Sequence, residues 1–130
     1  MKRISVDIPG YKHGQNPIPA ASRIGNFVST GGVHGLDIAA GTVPADPSEQ
    51  CRHMFANMGT ILQAAGVSWD NVLKLNVVIS DVEVRPFINR EWLAVFPDEA
   101  HRPARYISIN PHLPNGMRTQ CEALAIAGEG

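Results

Sequence analysis

A capped amphipathic helix over residues 47–65 is the feature that most constrains how this chain can fold. Asp46 can act as N-cap, Pro47 suits the first helical position, and Glu49 follows Asp46 by three residues. Gly66 predicts a left-handed end to the helix. Apolar residues recur at helical spacing on one face, namely Cys51, Met54, Phe55, Met58, Ile61, Leu62 and Ala65. This stripe is typical of a helix that packs its apolar face on the core.

Strands are predicted on both sides of this helix. Val72 to Ser80 is a β-branched, apolar run that predicts a central strand. The turn signal Asn115-Gly116 indicates a hairpin between the last two strands. Loops rich in Pro and Gly are predicted at 9–19 and 37–47, and further strands at 2–8, 26–30, 33–36, 104–110 and 117–127.

A second helix is predicted after the central strand. Ser80 and Glu83 form a possible capping box, and the helix should run to Phe96 and end at Pro97. The order of elements, with hairpin-like ends, predicts an α+β fold in which both helices pack on one face of a mixed sheet. Both residue sets of the alternating segment 117–127 contain apolar side chains, so the other face should also be partly buried, against further subunits.

The composition limits the classes of protein to which this chain can belong. The chain has 130 residues and a net charge of −1, with 44% hydrophobic and 18% charged residues, which is typical of one globular domain over residues 1–130. The lack of a basic run argues against nucleic-acid binding. No apolar stretch is long enough to span a bilayer or to form a signal peptide, so we expect a cytoplasmic protein without membrane association. Cys51 and Cys121 should be reduced thiols, with a disulfide as the alternative.

Arg105 begins a predicted strand beside a loop. There its guanidinium could bind a carboxylate in bidentate fashion, or it could be a surface Arg in a weak salt bridge. Gln120 and Glu122 are two residues apart and share a face of the last strand. If the hairpin pairs, this face lies near Arg105, and Glu122 could orient a water or a substrate amino group. The alternative is an ion pair of Glu122 with Arg105 or Arg118.

His34 stands in the segment Gly31-Gly32-Val33-His34-Gly35. Glycines around a histidine allow close backbone approach, so His34 could act as a general base, or it could lie in a solvent-exposed turn. The five histidines show no HxH or HExxH spacing, which argues against a metal site.

Several segments, taken in order and spacing, resemble the RidA/YjgF family over nearly the whole chain. They are GNFVSTGG at 25–32, QAAG at 63–66, VLKLNVVISD at 72–81, Asn89, FP at 96–97, RPAR at 102–105 and EALA at 122–125. The resemblance implies a chorismate-mutase-like fold and a homotrimer with ligand sites in the clefts between subunits.

The resemblance also implies an activity, the hydrolysis of reactive 2-imino and 2-enamino acids to 2-oxo acids and ammonia, with no metal or organic cofactor. In that chemistry an Arg binds the carboxylate of a small metabolite, and an acidic side chain helps to position the attacking water. Endoribonuclease activity is attributed to some family members, and the neutral charge of this chain argues against it here.

The family's site residues match this sequence in part. Arg105 matches the carboxylate-binding Arg, and Asn89 matches a recurring Asn. The family's acidic residue falls at Gln120, which cannot ionise, and Glu122 matches the next acidic position. Three further positions depart from the family: Ile18 for a Tyr, Gly31 for a Ser or Thr, and Ile107 for a Cys. Two hypotheses therefore follow, an imine deaminase with an altered pocket and a non-catalytic trimer that binds a small carboxylate.

Overall fold

The computed structural model describes residues 1–11 and 14–128, so residues 12 and 13 of the predicted loop 9–19 lie outside the described residues. Short 3-10 turns at Trp69–Asn71, Val82–Val84 and Glu99–His101 link the main elements. The strands and helices of the described residues are β1 (Ile4–Val6), β2 (Ala21–Ile24), β3 (Phe27–Thr30), β4 (Val33–His34), α1 (Pro47–Ala64), β5 (Val72–Ile79), α2 (Arg85–Val95), β6 (Ala104–Ile109) and β7 (Thr119–Ile126).

The seven strands form one mixed sheet. Its order is β1-β2-β3-β7-β5-β6, and β4 pairs with β7 beside β3. β5 and β6 run parallel, which requires a crossover connection, and α2 lies in that connection. The other pairs are antiparallel. The prediction of an α+β fold with a mixed sheet and two helices is therefore confirmed.

The predicted hairpin between the last two strands is wrong. β6 pairs with one edge of β5 and β7 pairs with the other, so β5 lies between them. The turn itself has the expected left-handed geometry, with φ of 58° at Asn115 and 75° at Gly116. Turn residues determine a local chain reversal, whereas the pairing partner of β7 is selected by contacts with β5, far away in sequence.

The start and the end of α1 follow the sequence signals. The Asp46 side chain accepts a hydrogen bond from the Ser48 amide, and Gly66 takes a φ of 85° just after the C-cap. The Glu49 carboxylate pairs with Arg52 along the helix. Asp46 thus caps the first turn, and Pro47 has no amide hydrogen that would need a partner there.

The capping box predicted at Ser80 and Glu83 is wrong. Asp81 is the N-cap instead, and its carboxylate accepts a hydrogen bond from the Glu83 amide at 2.9 Å. This cap opens the 3-10 turn Val82–Val84, which leads into α2 at Arg85. The Ser80 hydroxyl is instead hydrogen-bonded to Arg118 Nε at 2.7 Å and to Asp81.

The core lies between the helices and one face of the sheet. On β5 and β7, alternate residues are buried on that face, and they are Leu75, Val77, Ile79, Thr119, Cys121, Ala123 and Ala125. Side chains on the opposite face are more exposed. No helix among residues 1–11 and 14–128 is long and apolar enough to cross a membrane.

One polar side chain, Gln50, is fully buried on α1. Its amide nitrogen donates to the carbonyls of Pro44 at 2.7 Å and Gly116 at 3.0 Å, and its Oε1 accepts from the Arg118 amide at 2.7 Å. Gln50 therefore joins the start of α1 to the turn that precedes β7. The apolar periodicity of the helix gave no indication of this role.

We predict that Gln50→Leu lowers the free energy of unfolding by about 3 kcal/mol, because one buried amide and two carbonyls lose their partner. The matched control is Gln63→Leu, an exposed position of the same helix, with an expected change of about 0.5 kcal/mol or less. Urea denaturation of the two variants measures both values. Equal stabilities for the two variants would contradict the structural role of Gln50.

Candidate functional site

A pair of glycines separates β3 from β4, although both strands pair with β7. The β3 pairing ends at Ser29 opposite Leu124, and the β4 pairing begins at Val33 opposite Cys121. In the gap, the Thr30 hydroxyl accepts the hydrogen bond of the Ala123 amide at 2.9 Å. The side chain thus replaces a backbone acceptor where the ladder is interrupted.

Gly32 lies directly against the Gln120 side chain, and a Cβ at this position would overlap the Gln120 amide. With any larger residue at this position, the Gln120 side chain would have to move away from the backbone. The Gly31 amide is held by the Ala20 carbonyl at 2.8 Å. The break between the strands thereby places His34 opposite Gln120 in the register of β4 and β7.

A cavity of about 710 Å³ opens at this break. Three of the site residues predicted from the sequence line it, and we call Ile18, His34, Gln120 and the neighbouring Gly32 the cavity group. Gln15, Asn16 and Met117 also line the cavity. The fold therefore brings together side chains from the loop before β2, from β4 and from β7.

His34 is buried in β4, with 7% of its surface exposed, so the solvent-exposed turn considered for it is wrong. The Tyr11 hydroxyl lies 2.9 Å from His34 Nδ1 and accepts from the His34 amide at 3.0 Å. The two rings are 5.1 Å apart. Burial raises the pKa of Tyr11 to about 12, so its hydroxyl keeps its proton near neutral pH.

The importance of Tyr11 was missed by sequence reasoning. The residue lies in the loop segment 9–19, whose Pro and Gly content predicts an irregular conformation and says nothing of contacts. Its partner His34 is 23 residues away in the chain. A buried tyrosine next to a glycine in a loop has no local signal that would identify its partner.

Arg105 lies on β6, an edge strand of the sheet, and its side chain turns toward α2. The guanidinium carbon is 4.9 Å from the centre of the Trp92 ring. Nη1 is buried and has no hydrogen-bond partner among the described residues. Burial lowers the pKa of Arg105, and the nearby Arg85 adds to the effect, yet an arginine stays charged at neutral pH. Arg105 also forms no ion pair with a described residue, so the weak surface salt bridge considered for it is absent there.

The predicted proximity of Arg105 to Gln120 and Glu122 within one chain is wrong. Arg105 and Ala123 both pair with Leu75, on opposite sides of β5, and they share the face of the core. Gln120 and Glu122 alternate with the core residues of β7 and therefore lie on the other face. The cause is the position of β5 between β6 and β7.

Glu122 is held by a neighbour on its own face. Its Oε1 accepts a hydrogen bond from Asn76 Nδ2 at 3.1 Å. Arg118, considered as an ion-pair partner of Glu122, binds Asp81 at 2.7 Å instead. The Arg118 pairing lowers the pKa of Asp81, chiefly through the hydrogen bond between the two side chains.

Two further predicted residues, Ile107 and Asn89, lie on the same two elements as Arg105 and its neighbour Trp92. Ile107 follows Arg105 by two residues on the same face of β6 and packs partly against the core. Asn89 is half-buried on α2, one helical turn before Trp92. We call Arg105, Ile107, Trp92 and Asn89 the arginine group. The structure thus divides most of the predicted site residues into the arginine group and the cavity group. Glu122 lies on the open face of the sheet, and Gly31 lies between β3 and β4.

A family model described as Endoribonuclease L-PSP matches residues 15–127. This chain belongs to the RidA/YjgF family. The 2-iminobutanoate/2-iminopropanoate deaminase of Mus musculus is 31% identical to this RidA-family chain over 113 residues, which cover 86% of this chain and 82% of the mouse protein. The Escherichia coli K12 protein of the same name is 30% identical over 104 residues, covering 79% of this chain and 81% of its own.

Solved structures of similar fold include proteins named YjgF and RidA. The crystal structure of the YjgF gene product from E. coli superposes with a TM-score of 0.84 at 25% sequence identity, covering 95% of this chain and 98% of that chain. The structure of RidA from the Antarctic bacterium Psychrobacter sp. PAMC 21119 has a TM-score of 0.85 at 24% identity and supports the fold alone.

This RidA-family member has two cysteines, and neither stands at position 107, which is Ile107. Cys51 and Cys121 are both free and buried. Burial raises the pKa of Cys51 to about 12 and also raises that of Cys121. Since the thiolate is the reactive form, neither thiol is suited to act as a nucleophile near neutral pH. The described residues contain no cluster of three or more His, Cys, Asp or Glu side chains that could hold a metal ion.

We predict that a thiol reagent at pH 8 modifies neither cysteine of the native protein and both after unfolding in urea. At a pKa of about 12, about one thiol in ten thousand is ionised at that pH, and burial also blocks access. The absorbance of the released reagent group counts the thiols. Rapid labelling of the native protein would contradict the assignment of both cysteines to the core.

Proposed function

We propose that this chain is an imine deaminase that converts 2-imino acids to 2-oxo acids and ammonia, with Arg105 binding the substrate carboxylate. The observation that carries the proposal is the buried Nη1 of Arg105, which lacks a partner among the described residues. A buried donor without a partner costs about 1–3 kcal/mol. A carboxylate would supply the missing acceptor and match the planar geometry of the guanidinium. The printed names of the sequence relatives support the substrate class.

We place the proposed site between subunits of a homotrimer. In one chain the arginine group and the cavity group lie on opposite faces of the sheet, on strands separated by β5. A substrate of a few carbon atoms cannot reach around a sheet, so a second subunit has to bring its cavity group against the arginine group. Apolar side chains on the open face of the sheet support such an assembly, among them Phe27, Leu124, Ile126 and Tyr106.

The proposed reaction needs positioning and proton transfer, and both can be supplied by side chains. Arg105 fixes the carboxylate and hence the adjacent imine carbon. The cavity group holds the attacking water, to which the Gln120 amide can donate or accept a hydrogen bond. Gln120 cannot take a proton from that water, unlike the acidic residue that the family has at this position. No metal or organic cofactor is required by this chemistry.

A second candidate function is the non-catalytic binding of a small carboxylate, favoured by Gln120 in place of an acid. It predicts that a 2-oxo acid binds at Arg105 without any turnover of imine. RNA cleavage, the activity named in the description of the matching family model, has less support. The chain has a net charge of −1 and no basic run in its sequence.

The test of the deaminase is the release of 2-oxobutanoate and ammonia from freshly generated 2-iminobutanoate. The wild type should exceed the spontaneous rate, and Arg105→Ala should lower kcat/KM by about 10²-fold, since the carboxylate loses a charge-assisted bidentate contact. Arg105→Lys should fall between the two because an ammonium is a point charge. Arg52→Ala, at an exposed position of α1, is the matched control.

Equal rates for the wild type and Arg105→Ala would refute the deaminase. If the wild type binds a 2-oxo acid through Arg105 but never exceeds the spontaneous rate, the binding function replaces it. In that case Gln120→Glu should create activity, because it restores an ionisable group on an otherwise suitable scaffold.

The proposed trimer is tested by charging the open face. Leu124→Asp should shift the sedimentation of the protein from a trimer to a monomer, because a carboxylate would be buried without a partner in the interface. Leu93→Asp is the matched control, since Leu93 is equally an exposed leucine but lies on α2. A wild type that sediments as a monomer would refute the intersubunit site.

A further inference from the structure

Helix α2 begins with a second arginine in the row of side chains that leads to Arg105. Arg85 is the first residue of α2, and Asn89 and Trp92 follow it at positions that lie one and two helical turns further on. Side chains at this spacing form one row along a helix. Trp92 of this row lies under the Arg105 guanidinium, 4.9 Å from its ring centre. Arg85 is therefore placed at the end of the row whose other end contacts Arg105.

The two arginines act on each other as like charges. Burial lowers the pKa of Arg105 most, and the charge of Arg85 lowers it further. Among residues 1–11 and 14–128, no carboxylate forms an ion pair with either of the two guanidinium groups. The arginine group and Arg85 thus form a region of positive charge that the described part of the chain leaves uncompensated.

The position of Arg85 is also unfavourable for the helix itself. The N-terminus of a helix carries a positive partial charge, which favours acidic side chains, and the first turn of α2 contains none. Arg90 of the same helix is bound on its own side, to Ser48 Oγ at 2.6 Å and to Glu91 at 2.8 Å. The exposed Arg85 has no comparable partner among the described residues. A cation in this place gives the fold no contact that would account for its cost.

An anionic ligand would compensate both arginines. A single carboxylate supplies the acceptor that the buried Nη1 of Arg105 lacks, but it neutralises only one of the two charges. The other members of the arginine group are uncharged. The described residues that line the 710 Å³ cavity include no Lys or Arg, so the cavity offers no arginine or lysine to another acidic group of the substrate. The charge balance therefore favours a ligand with two carboxylates, both near α2.

We propose that Arg85 binds a second carboxylate of the substrate, so that the deaminase acts on 2-imino dicarboxylic acids such as 2-iminoglutarate. This inference rests on the proposed function, in which Arg105 binds the carboxylate next to the imine carbon. Arg85 determines specificity, because it contacts the far end of the substrate and takes no part in the attack of water on the imine. Its long and exposed side chain can reach a carboxylate without movement of the backbone.

The experiment compares two imines, 2-iminoglutarate and 2-iminobutanoate, each generated freshly from its amino acid by an oxidase. With the wild type, kcat/KM should be about tenfold higher for 2-iminoglutarate, because only this substrate makes the additional charge-assisted contact. Arg85→Gln should remove this difference and leave kcat/KM for 2-iminobutanoate within about twofold of the wild type. Arg52→Gln, which makes the same change of charge at an exposed position of α1, should match the wild type with both imines.

The melting temperature separates a role in specificity from a role in structure. Arg85→Gln should melt at the same or a higher temperature without ligand, because the repulsion between the two arginines is removed. An acidic side chain of a neighbouring subunit that paired with Arg85 would give a lower melting temperature and equal losses with both imines. That result would overturn the inference, and so would a wild type without preference for 2-iminoglutarate.

The variants of the two arginines keep this inference distinct from the proposed function. Arg105→Ala should lower kcat/KM with both imines, whereas Arg85→Gln should lower it with 2-iminoglutarate alone. If 2-iminobutanoate is hydrolysed in dependence on Arg105 and Arg85→Gln changes neither rate, the deaminase stands and the role of Arg85 is refuted.

A binding measurement decides the role of Arg85 if neither imine is hydrolysed faster than the spontaneous rate. The deaminase is then refuted, and calorimetric titration compares the Kd of 2-oxoglutarate with that of 2-oxobutanoate. About tenfold tighter binding of 2-oxoglutarate that is lost in Arg85→Gln supports the second carboxylate contact. Equal Kd values for the two oxo acids overturn it.

Discussion

The position of β5 between β6 and β7 is the constraint on which the rest of the structure depends. β5 is apolar and β-branched, so it is stable only where both of its edges are paired and its core face is covered. Its parallel pairing with β6 requires the crossover that contains α2. The register of β6 on β5 orients Arg105 toward the helices, and the register of β7 on β5 orients Gln120 toward the open face. The central strand therefore determines why the predicted site is divided within one chain.

The contacts that stabilise this arrangement are mainly apolar, and a few buried polar groups set its register. Gln50 joins α1 to the turn before β7, and the Thr30 hydroxyl takes over a ladder hydrogen bond where β3 breaks off. Each of these groups has a specific partner, and a shift of one residue would leave buried donors unsatisfied. The geometry of the cavity group thus depends on hydrogen bonds outside it.

The sequence predicted best those elements whose signals are local. Asp46, Pro47 and Gly66 define both ends of α1, and its apolar stripe identifies the residues that the helix buries in the core. β2 received no prediction, because a strand of four residues next to a loop has too short a pattern. The hairpin failed because Asn115 and Gly116 determine only a turn, whereas strand order depends on long-range packing.

The prediction of the candidate site shows the same difference between local and long-range signals. Arg105 and Gln120 were identified through the resemblance to the family. Their separation on opposite faces follows from the order of the strands. The resemblance did not predict on which face each of these side chains lies. His34 was identified as a possible base, yet its burial and its contact with Tyr11 required the fold. In both cases residue identity was accessible from the sequence, and the distance between residues was not.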